Sequence, residues 1–511
     1  MRLHTTICLF ALVISAGCAV NPVTGDRDFI IVSGKQELAM GEQNYAPMQQ
    51  SQGGSYDVDP GLTAYVQSVG GKVAAASGVN LPYEFTVLNN SVPNAWALPG
   101  GKIAINRGLL TEMNSEAELA AVLGHEVVHA AARHSAQQQS RGMLAQIGIL
   151  ATGIAASDSD YGNLIVGSAQ VGAQMLMMKY GRGAELESDK YGMRYMSKAG
   201  YNPQGAVDLQ ETFVRLSESR RQDWLSGLFS SHPPSRARVD ANKKTAAKLP
   251  PGGITGEQAY KAAMAKTMQL KPAYEKYDEG RKALSEKENE RALSLANEAL
   301  QLFPDEAHFH ALRGDVRLSN KQFDMAVTNF NRAIAQRDNF FYYHLQRGIA
   351  RHELGQTDAA ATDLENSLKL LPTAPAHYVL GEIKEQRGNV TDAINHYKVV
   401  AKSGGGQYGK MATERLMRLE LPSQPSSYIA SACGDDGSGQ VAIQVRNATS
   451  VPVTGLRVIF QYVDSNGTQR QQSRDLSGTL AGGQTATIKT GLAPYANTRC
   501  QSKVTAARIA Q

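Results

Sequence analysis

The sequence predicts a multidomain chain: a mainly α domain of α+β type, an α-solenoid of repeated helix pairs, and a C-terminal all-β sandwich. Three patterns in the 511 residues lead there. Residues 116–134 form a long apolar helical stretch behind two short strand patterns. Gly280, Gly314 and Gly348 stand 34 residues apart, and Gly381 follows after 33. From about residue 427, apolar and polar residues alternate between Asn-Gly and Gly-Gly turns. Domains usually hold roughly 100–200 residues, so this length has room for two to four.

Residues 1–17 read as a signal peptide. Arg2 supplies a positive start, and the apolar run over 7–14 is too short to span a bilayer. Ser15, Ala16 and Gly17 then lead to Cys18. This resembles the lipobox of bacterial lipoproteins, where cleavage precedes a cysteine that is then lipidated. Ser15 departs from the usual Leu, and a plain secretory signal with an incidental cysteine is the alternative. Either way the protein is exported. The resemblance implies a periplasmic protein held to the membrane by lipid on Cys18. Ala19 after the cysteine, where Asp would retain a lipoprotein, implies the outer membrane. Cys8 leaves with the signal, so Cys433 and Cys500 remain, and an oxidising compartment favours a disulfide between them over two buried thiols. The net charge of +5 is small, with no basic cluster, and gives no reason to propose nucleic acid as a partner.

Residues 18–55 read as a lipidated polar linker, with turns at Asn21-Pro22 and Thr24-Gly25. Residues 56–245 form the first domain. In it, 62–76 has helical periodicity, and 85–88 and 102–105 read as strands separated by a Pro/Gly-rich loop over 92–101. Ser115 with Glu118 makes a capping box for the helix 116–134. The uncharged stretches 142–157 and 161–178 read as a helical hairpin packed on this domain, or as a mobile cover over its site; the second reaches the lower length limit for spanning a membrane. A linker is expected over 246–272, repeats over 273–420, and the sandwich over 427–511. Ala292, Ala326, Ala360 and Ala393 each follow a repeat glycine by twelve residues. Small residues at two fixed positions of a 34-residue period resemble the tetratricopeptide repeat, in which two helices pack closely and the stack binds partners on its concave face.

The chemistry concentrates in His125-Glu126-Val127-Val128-His129. Residues at i and i+4 share a helix face, so two imidazoles can reach one metal ion. Glu126 can then face a metal-bound water and act as general base, with zinc as Lewis acid on a scissile carbonyl. The helix is apolar on most sides, hence buried, and two buried histidines beside a carboxylate are costly without a task. Such a site needs a third protein ligand, and Glu185, in Glu185-Leu186-Glu187-Ser188-Asp189, is the candidate.

HExxH followed by ExxxD across an apolar segment resembles the HtpX and CAAX-prenyl-endopeptidase family of gluzincin metallopeptidases. Asn94-Ala95-Trp96-Ala97-Leu98-Pro99-Gly100-Gly101 with Ile103-Ala104-Ile105, and His232-Pro233 with Arg238, match further motifs of that family. Asn21-Pro22-Val23-Thr24-Gly25 is typical of its exported lipoprotein members. The resemblance covers nearly all of residues 18–245 and implies a zincin-like peptidase domain. It implies His125, His129 and Glu185 as ligands of one zinc ion per chain, and Glu126 as catalytic base. It selects Glu185 over Glu187 by the spacing to Asp189, and makes Asp189 an acceptor for a ligand imidazole N–H. His232 resembles a histidine that takes the fourth zinc position and holds the enzyme closed. Arg238 would stabilise the oxyanion or pair with Glu126. His134 reads as a surface residue. The ligand set suits zinc but also admits other divalent ions.

Substrate is expected as an added strand against Lys102, Ile103, Ala104 and Ile105, through main-chain hydrogen bonds that tolerate many sequences. Unfolded or stalled envelope polypeptides are the substrates this implies, with the repeats docking an outer-membrane assembly machinery. The alternative is a scaffold or chaperone in which the repeats act and proteolysis is rare.

Overall fold

A computed structural model describes residues 18–149, 180–218, 232–403, 406–435, 438–493 and 500–510. The signal peptide, residues 150–157 of the first uncharged stretch and all of 161–178 lie outside the described residues. No described helix is long and apolar enough to cross a membrane. The chain divides into two compact units, residues 1–376 and 377–511.

The first unit opens with a hairpin of β1 (Cys18–Val20) and β2 (Arg27–Phe29). Helices α1 (Gly34–Ser51) and α2 (Pro60–Ser77) follow. The expected linker over 18–55 is therefore structured. Ser33 caps α1 through a full capping box, and Tyr45 and Met48 on α1 bury against Leu88, Trp96, Leu98 and Ala104. Three strands follow: β3 (Glu84–Leu88), β4 (Ala95–Leu98) and β5 (Lys102–Asn106). The sequence reading placed a loop where β4 lies. Flanking Pro93 and Pro99-Gly100-Gly101 look like loop, yet Ala95, Trp96, Ala97 and Leu98 between them pair with β5. The sheet order is β3-β5-β4, with β5 parallel to β3 and antiparallel to β4.

Val66, Val69 and Val73 of α2 pack on this sheet, and a Cβ on Gly70 would lie 2.6 Å from the Phe85 ring. On the same face, packed against α2, runs α4 (Glu116–Ala131), after the short α3 (Arg107–Leu110). Ser115 caps α4 by accepting from the Glu118 N–H, but Glu118 accepts from the N–H of Asn114, so half of the expected box forms. Every residue of α4 is buried. The helix ends earlier than the sequence suggests. Arg133 takes a left-handed φ of 62°, held by bonds to Glu37 and the Val32 carbonyl, and α5 (His134–Ile149) starts anew. Helices α6 (Arg182–Lys198), α7 (Gln204–Glu218) and α8 (Arg236–Ala246) complete the domain.

The expected linker over 246–272 is another correction. Helix α9 (Glu257–Ser285) occupies most of it, and its Tyr260, Met264, Leu270, Ala273 and Tyr274 join the core of the first domain. Their helical spacing drives that burial. The paired helices then follow: α10 (Asn289–Leu302) packs on α9, α11 (Ala307–Ser319) on α12 (Phe323–Gln336), and α13 (Phe341–Glu353) on α14 (Thr357–Leu370). The periodic small residues sit where helices approach. A Cβ on Gly314 would meet Phe330 at 2.8 Å, and one on Gly348 would meet Leu364 at 2.8 Å. Ala292, Ala326 and Ala360 are wholly buried.

Asp315 on α11 is buried and accepts from the Tyr342 hydroxyl at 3.1 Å. Burial, against the opposing influence of Arg281 and that hydroxyl, pushes its carboxyl from 3.8 to about 7. The folded state thus holds a proton that the unfolded chain releases. The stability this contributes is full below pH 3.8 and is lost as pH rises through about 7. Asp315→Asn should flatten that dependence and gain on the order of 2–4 kcal/mol at pH 8. Urea unfolding at pH 5 and pH 8 checks this, and equal slopes for parent and variant would refute it.

In the second unit, helices α15 (Ala374–Gln386, which starts at the unit boundary), α16 (Val390–Lys402) and α17 (Gly406–Glu420) continue the helical pattern. A Cβ on Gly381 would meet Tyr397 at 2.6 Å, and Ala393 is wholly buried. Two three-stranded antiparallel sheets then share one core. One has β6 (Ile429–Asp435), β7 (Val441–Asn447) and β10 (Thr485–Lys489), in the order β10-β7-β6. The other has β8 (Val453–Val463), β9 (Gln469–Leu480) and β11 (Gln501–Ile509), in the order β11-β8-β9. Ile443, Val445, Val458 and Phe460 fill the space between them, the alternation expected of a sandwich. Cys433 on β6 and Cys500 before β11 face each other across the sheets, with Cα atoms 5.7 Å apart.

Candidate metal centre

Helix α4 carries His125, Glu126 and His129 on one buried face, and α6 crosses it so that Glu185 and Asp189 face them. The two helices meet backbone to backbone: a Cβ on Gly192 would lie 2.9 Å from both the Gly124 carbonyl carbon and the His125 nitrogen. That contact lets short side chains from both helices converge.

The ligand atoms of His125, His129, Glu185 and His232 lie within 4.8 Å of one another, and all four residues are buried. His125 Nε2 is 3.0 Å from His129 Nε2 and 3.3 Å from His232 Nδ1. Glu185 Oε1 is 3.4 Å from His129 Nε2 and 3.0 Å from His232 Nδ1. The outward nitrogens decide which atoms are free. His125 Nδ1 lies 2.9 Å from Asp189 Oδ1, and an ionised carboxylate can only accept, so His125 turns a lone pair inward at Nε2. His129 Nδ1 lies 2.9 Å from His134 Nδ1, whose own Nε2 faces Glu187 Oε1 at 3.4 Å. His134 then donates to Glu187 and accepts from His129, which turns a second lone pair inward. Two lone pairs and a carboxylate facing one point repel unless a cation lies between them. Neutral imidazoles and a carboxylate are the donors a divalent metal takes.

Electrostatics agrees. Burial holds His129 well below the usual imidazole range, so it stays neutral. Burial raises the Glu185 carboxyl, but His232 and His125 outweigh it and the net shift is downward. Glu126 stands behind the cluster. Burial pushes its carboxyl up, Oε1 is 3.6 Å from His232 Nε2, and Oε2 is buried without a hydrogen-bond partner among the described residues. An acceptor left bare there fits a water carried by a bound metal.

Several expected roles need correction. Arg238 does not pair with Glu126. It donates to both oxygens of Asp189 at 2.7 Å and lies 2.9 Å from Glu185 Oε2. It therefore ties together the two carboxylates of α6, one of which lies against His125 Nδ1. Burial would raise Asp189, but the bonds and charge of Arg238 lower it. The substrate strand is also misplaced. Lys102, Ile103, Ala104 and Ile105 lie in the central strand β5, paired on both edges and fully buried, so no strand can add there. Nor is His134 a surface residue: it is buried against His129. Tyr180 was missed as well; its ring stacks on His129 at 3.9 Å and its hydroxyl lies 3.0 Å from Ser135 Oγ. Its place just before α6 was the available signal. His125, Glu126 and His232 form one wall of a pocket of about 40 Å³ whose apolar side includes Ala95, Val122, Met193, Leu209 and Phe213.

Two histidines a turn apart on α4, a glutamate from α6 and a carboxylate behind them without a partner among the described residues define a metallopeptidase domain, here followed by helical repeats. Residues 60–246 match the model of peptidase family M48, and 277–339 and 345–407 match tetratricopeptide repeats, so the chain carries an M48 peptidase domain with such repeats behind it. It is similar to the beta-barrel assembly-enhancing protease of Yersinia pestis, 29% identical over 44% of this chain and 47% of that one. It also resembles the mitochondrial metalloendopeptidase OMA1 of Schizosaccharomyces pombe (32% identical; 43% of this chain, 63% of that one). Metalloprotease YcaL of Escherichia coli is 35% identical over 33% of this chain and 65% of its own. The chain spans about half the length of the beta-barrel assembly-enhancing proteases it matches.

Proposed function

We propose that the protein is a zinc endopeptidase of the bacterial periplasm, lipid-anchored through Cys18 to the outer membrane, which cuts misfolded or stalled envelope polypeptides while its repeats dock partners of the assembly machinery. The inward convergence of His125 Nε2, His129 Nε2 and Glu185, with Glu126 bare behind them, carries this reading. Zinc bound there supplies a Lewis acid and an acidified water. Glu126 accepts the proton of the attacking water and returns it to the leaving amine. The outer edge of β4 is unpaired by any described strand, and Ala95 lines the pocket beside Glu126. A polypeptide added along β4 passes the metal donors and sets one side chain in that pocket. Export would oxidise Cys433 and Cys500 to a disulfide.

His232 favours a second, compatible reading, of rare proteolysis by a latched enzyme. Its Nδ1 occupies the fourth donor position and its Nε2 faces the base. The test is metal content together with casein cleavage, for the parent and for His232→Ala. One zinc in both chains, and cleavage several-fold faster in the variant, supports protease and latch together. Zinc with equal cleavage removes the latch. Absence of zinc from the parent removes the protease.

A further inference from the structure

The two histidine ligands are supported in different ways. Asp189 backs His125 directly and is clamped by Arg238. His129 is backed by a chain that leaves the site. Its Nδ1 meets His134, and His134 meets Glu187 Oε1. Glu187 Oε1 in turn accepts from Asn21 Nδ2 at 3.0 Å. Asn21 is 2% exposed, and every polar atom of its side chain is used. Its Oδ1 accepts from the Val23 N–H at 2.9 Å and the Thr24 N–H at 3.3 Å. Its Nδ2 also donates to Asp28 Oδ2, which Gln137 holds from α5 at 2.8 Å. Asn21 therefore shapes the turn of the β1–β2 hairpin and pins Glu187 at once. None of this belongs to the catalytic donors, and the turn itself uses only Oδ1: the Nδ2 bonds reach out to Asp28 and Glu187.

We propose that His134, Glu187 and Asn21 are positioning residues for the metal ligand His129, so that the hairpin beginning at Cys18 is part of the support of the metal centre. The inference rests on the metallopeptidase reading. A ligand imidazole binds best when its other N–H is held by an acceptor, because that fixes both tautomer and ring orientation. For His129 the acceptor is itself an imidazole, which accepts only while its own proton sits on Nε2. Glu187 sets that proton, and Asn21 sets Glu187. The fixed turn over 21–26 thereby connects the segment beside the proposed lipid anchor to the zinc.

Zinc affinity of the full chain, by competition with a chromogenic chelator, tests this without any substrate. Asn21→Ala and Glu187→Ala should each bind zinc about 10–100-fold more weakly. Glu187→Gln keeps an oxygen that accepts from His134 and should stay within about threefold of the parent. Melting of the metal-free chains should not separate Glu187→Gln from the parent. Parental affinity in both alanine variants overturns the proposal, as does an equal loss in Glu187→Gln and Glu187→Ala. Should Glu187→Ala fail to fold, Asn21→Ala decides alone by the same criterion. A parent chain that binds no zinc defeats the metallopeptidase reading itself, whereas a zinc-loaded parent with unaltered variants defeats only this inference.

Discussion

Glu126→Gln should hold metal as the parent does and cleave casein about 10²–10⁴-fold more slowly, the usual worth of a positioned general base. Glu126 is not one of the four converging donors, so the amide leaves the metal's protein ligands intact. It also keeps the size of the side chain in a fully buried position, so folding is spared. What it removes is the lone pair that accepts a proton. Burial already pushes this carboxyl above its ordinary value, which makes it a stronger base once it is ionised. The measurement is single-turnover cleavage with metal content determined on the same sample. Full activity in a metal-loaded Gln variant would remove Glu126 from the chemistry. Lost metal would instead mean that Glu126 belongs to the ligand set. In cells, a phenotype indifferent to this substitution would favour the scaffold reading.

Which parts of this were legible in the sequence follows from how local each constraint is. His125 and His129 share a face because of helix geometry alone, and the repeat glycines betray themselves by period. Glu185 needed the family spacing, since Glu187 sits only two residues away. The structure separates them: Glu185 turns toward His129, and Glu187 toward His134 and Asn21. His134 was misread because the run Ala130-Ala131-Ala132-Arg133 suits a continuous helix. The break comes from Arg133, whose left-handed backbone is fixed by Glu37, almost a hundred residues earlier. The central place of β5 was likewise hidden, because the strand order depends on a parallel pairing with β3 that no local pattern encodes. The supposed linkers were misjudged because α1 and α9 bury only part of their surface, and a half-polar helix without its partner reads as polar chain.

The contact between α4 and α6 is where packing and chemistry are least separable, and Gly192→Val should disrupt both. An added Cβ would stand 2.9 Å from the Gly124 carbonyl carbon and the His125 nitrogen, which are backbone atoms and cannot rotate away. The helices must part, and overpacking of this kind costs about 1–3 kcal/mol. Stability is the smaller part of the loss. Glu185 and Asp189 ride on α6, while His125 and His129 ride on α4. Metal–ligand distances tolerate only about 0.2 Å, so a shift of ~1 Å between the helices takes the glutamate out of reach. Zinc affinity should therefore fall by at least about 100-fold, beyond what loss of an outer hydrogen bond produces. Gly192→Ala should move in the same direction by less. Gly183→Ala on the same helix is the control, because no atom of the described residues lies within 4 Å of its added Cβ. It should leave zinc affinity unchanged and gain up to about 1 kcal/mol from helix propensity. Chelator competition and thermal unfolding on the three variants separate these effects. Parental zinc affinity in a folded Gly192→Val chain would show that the site tolerates helix displacement. The close glycine contact would then be a matter of stability alone.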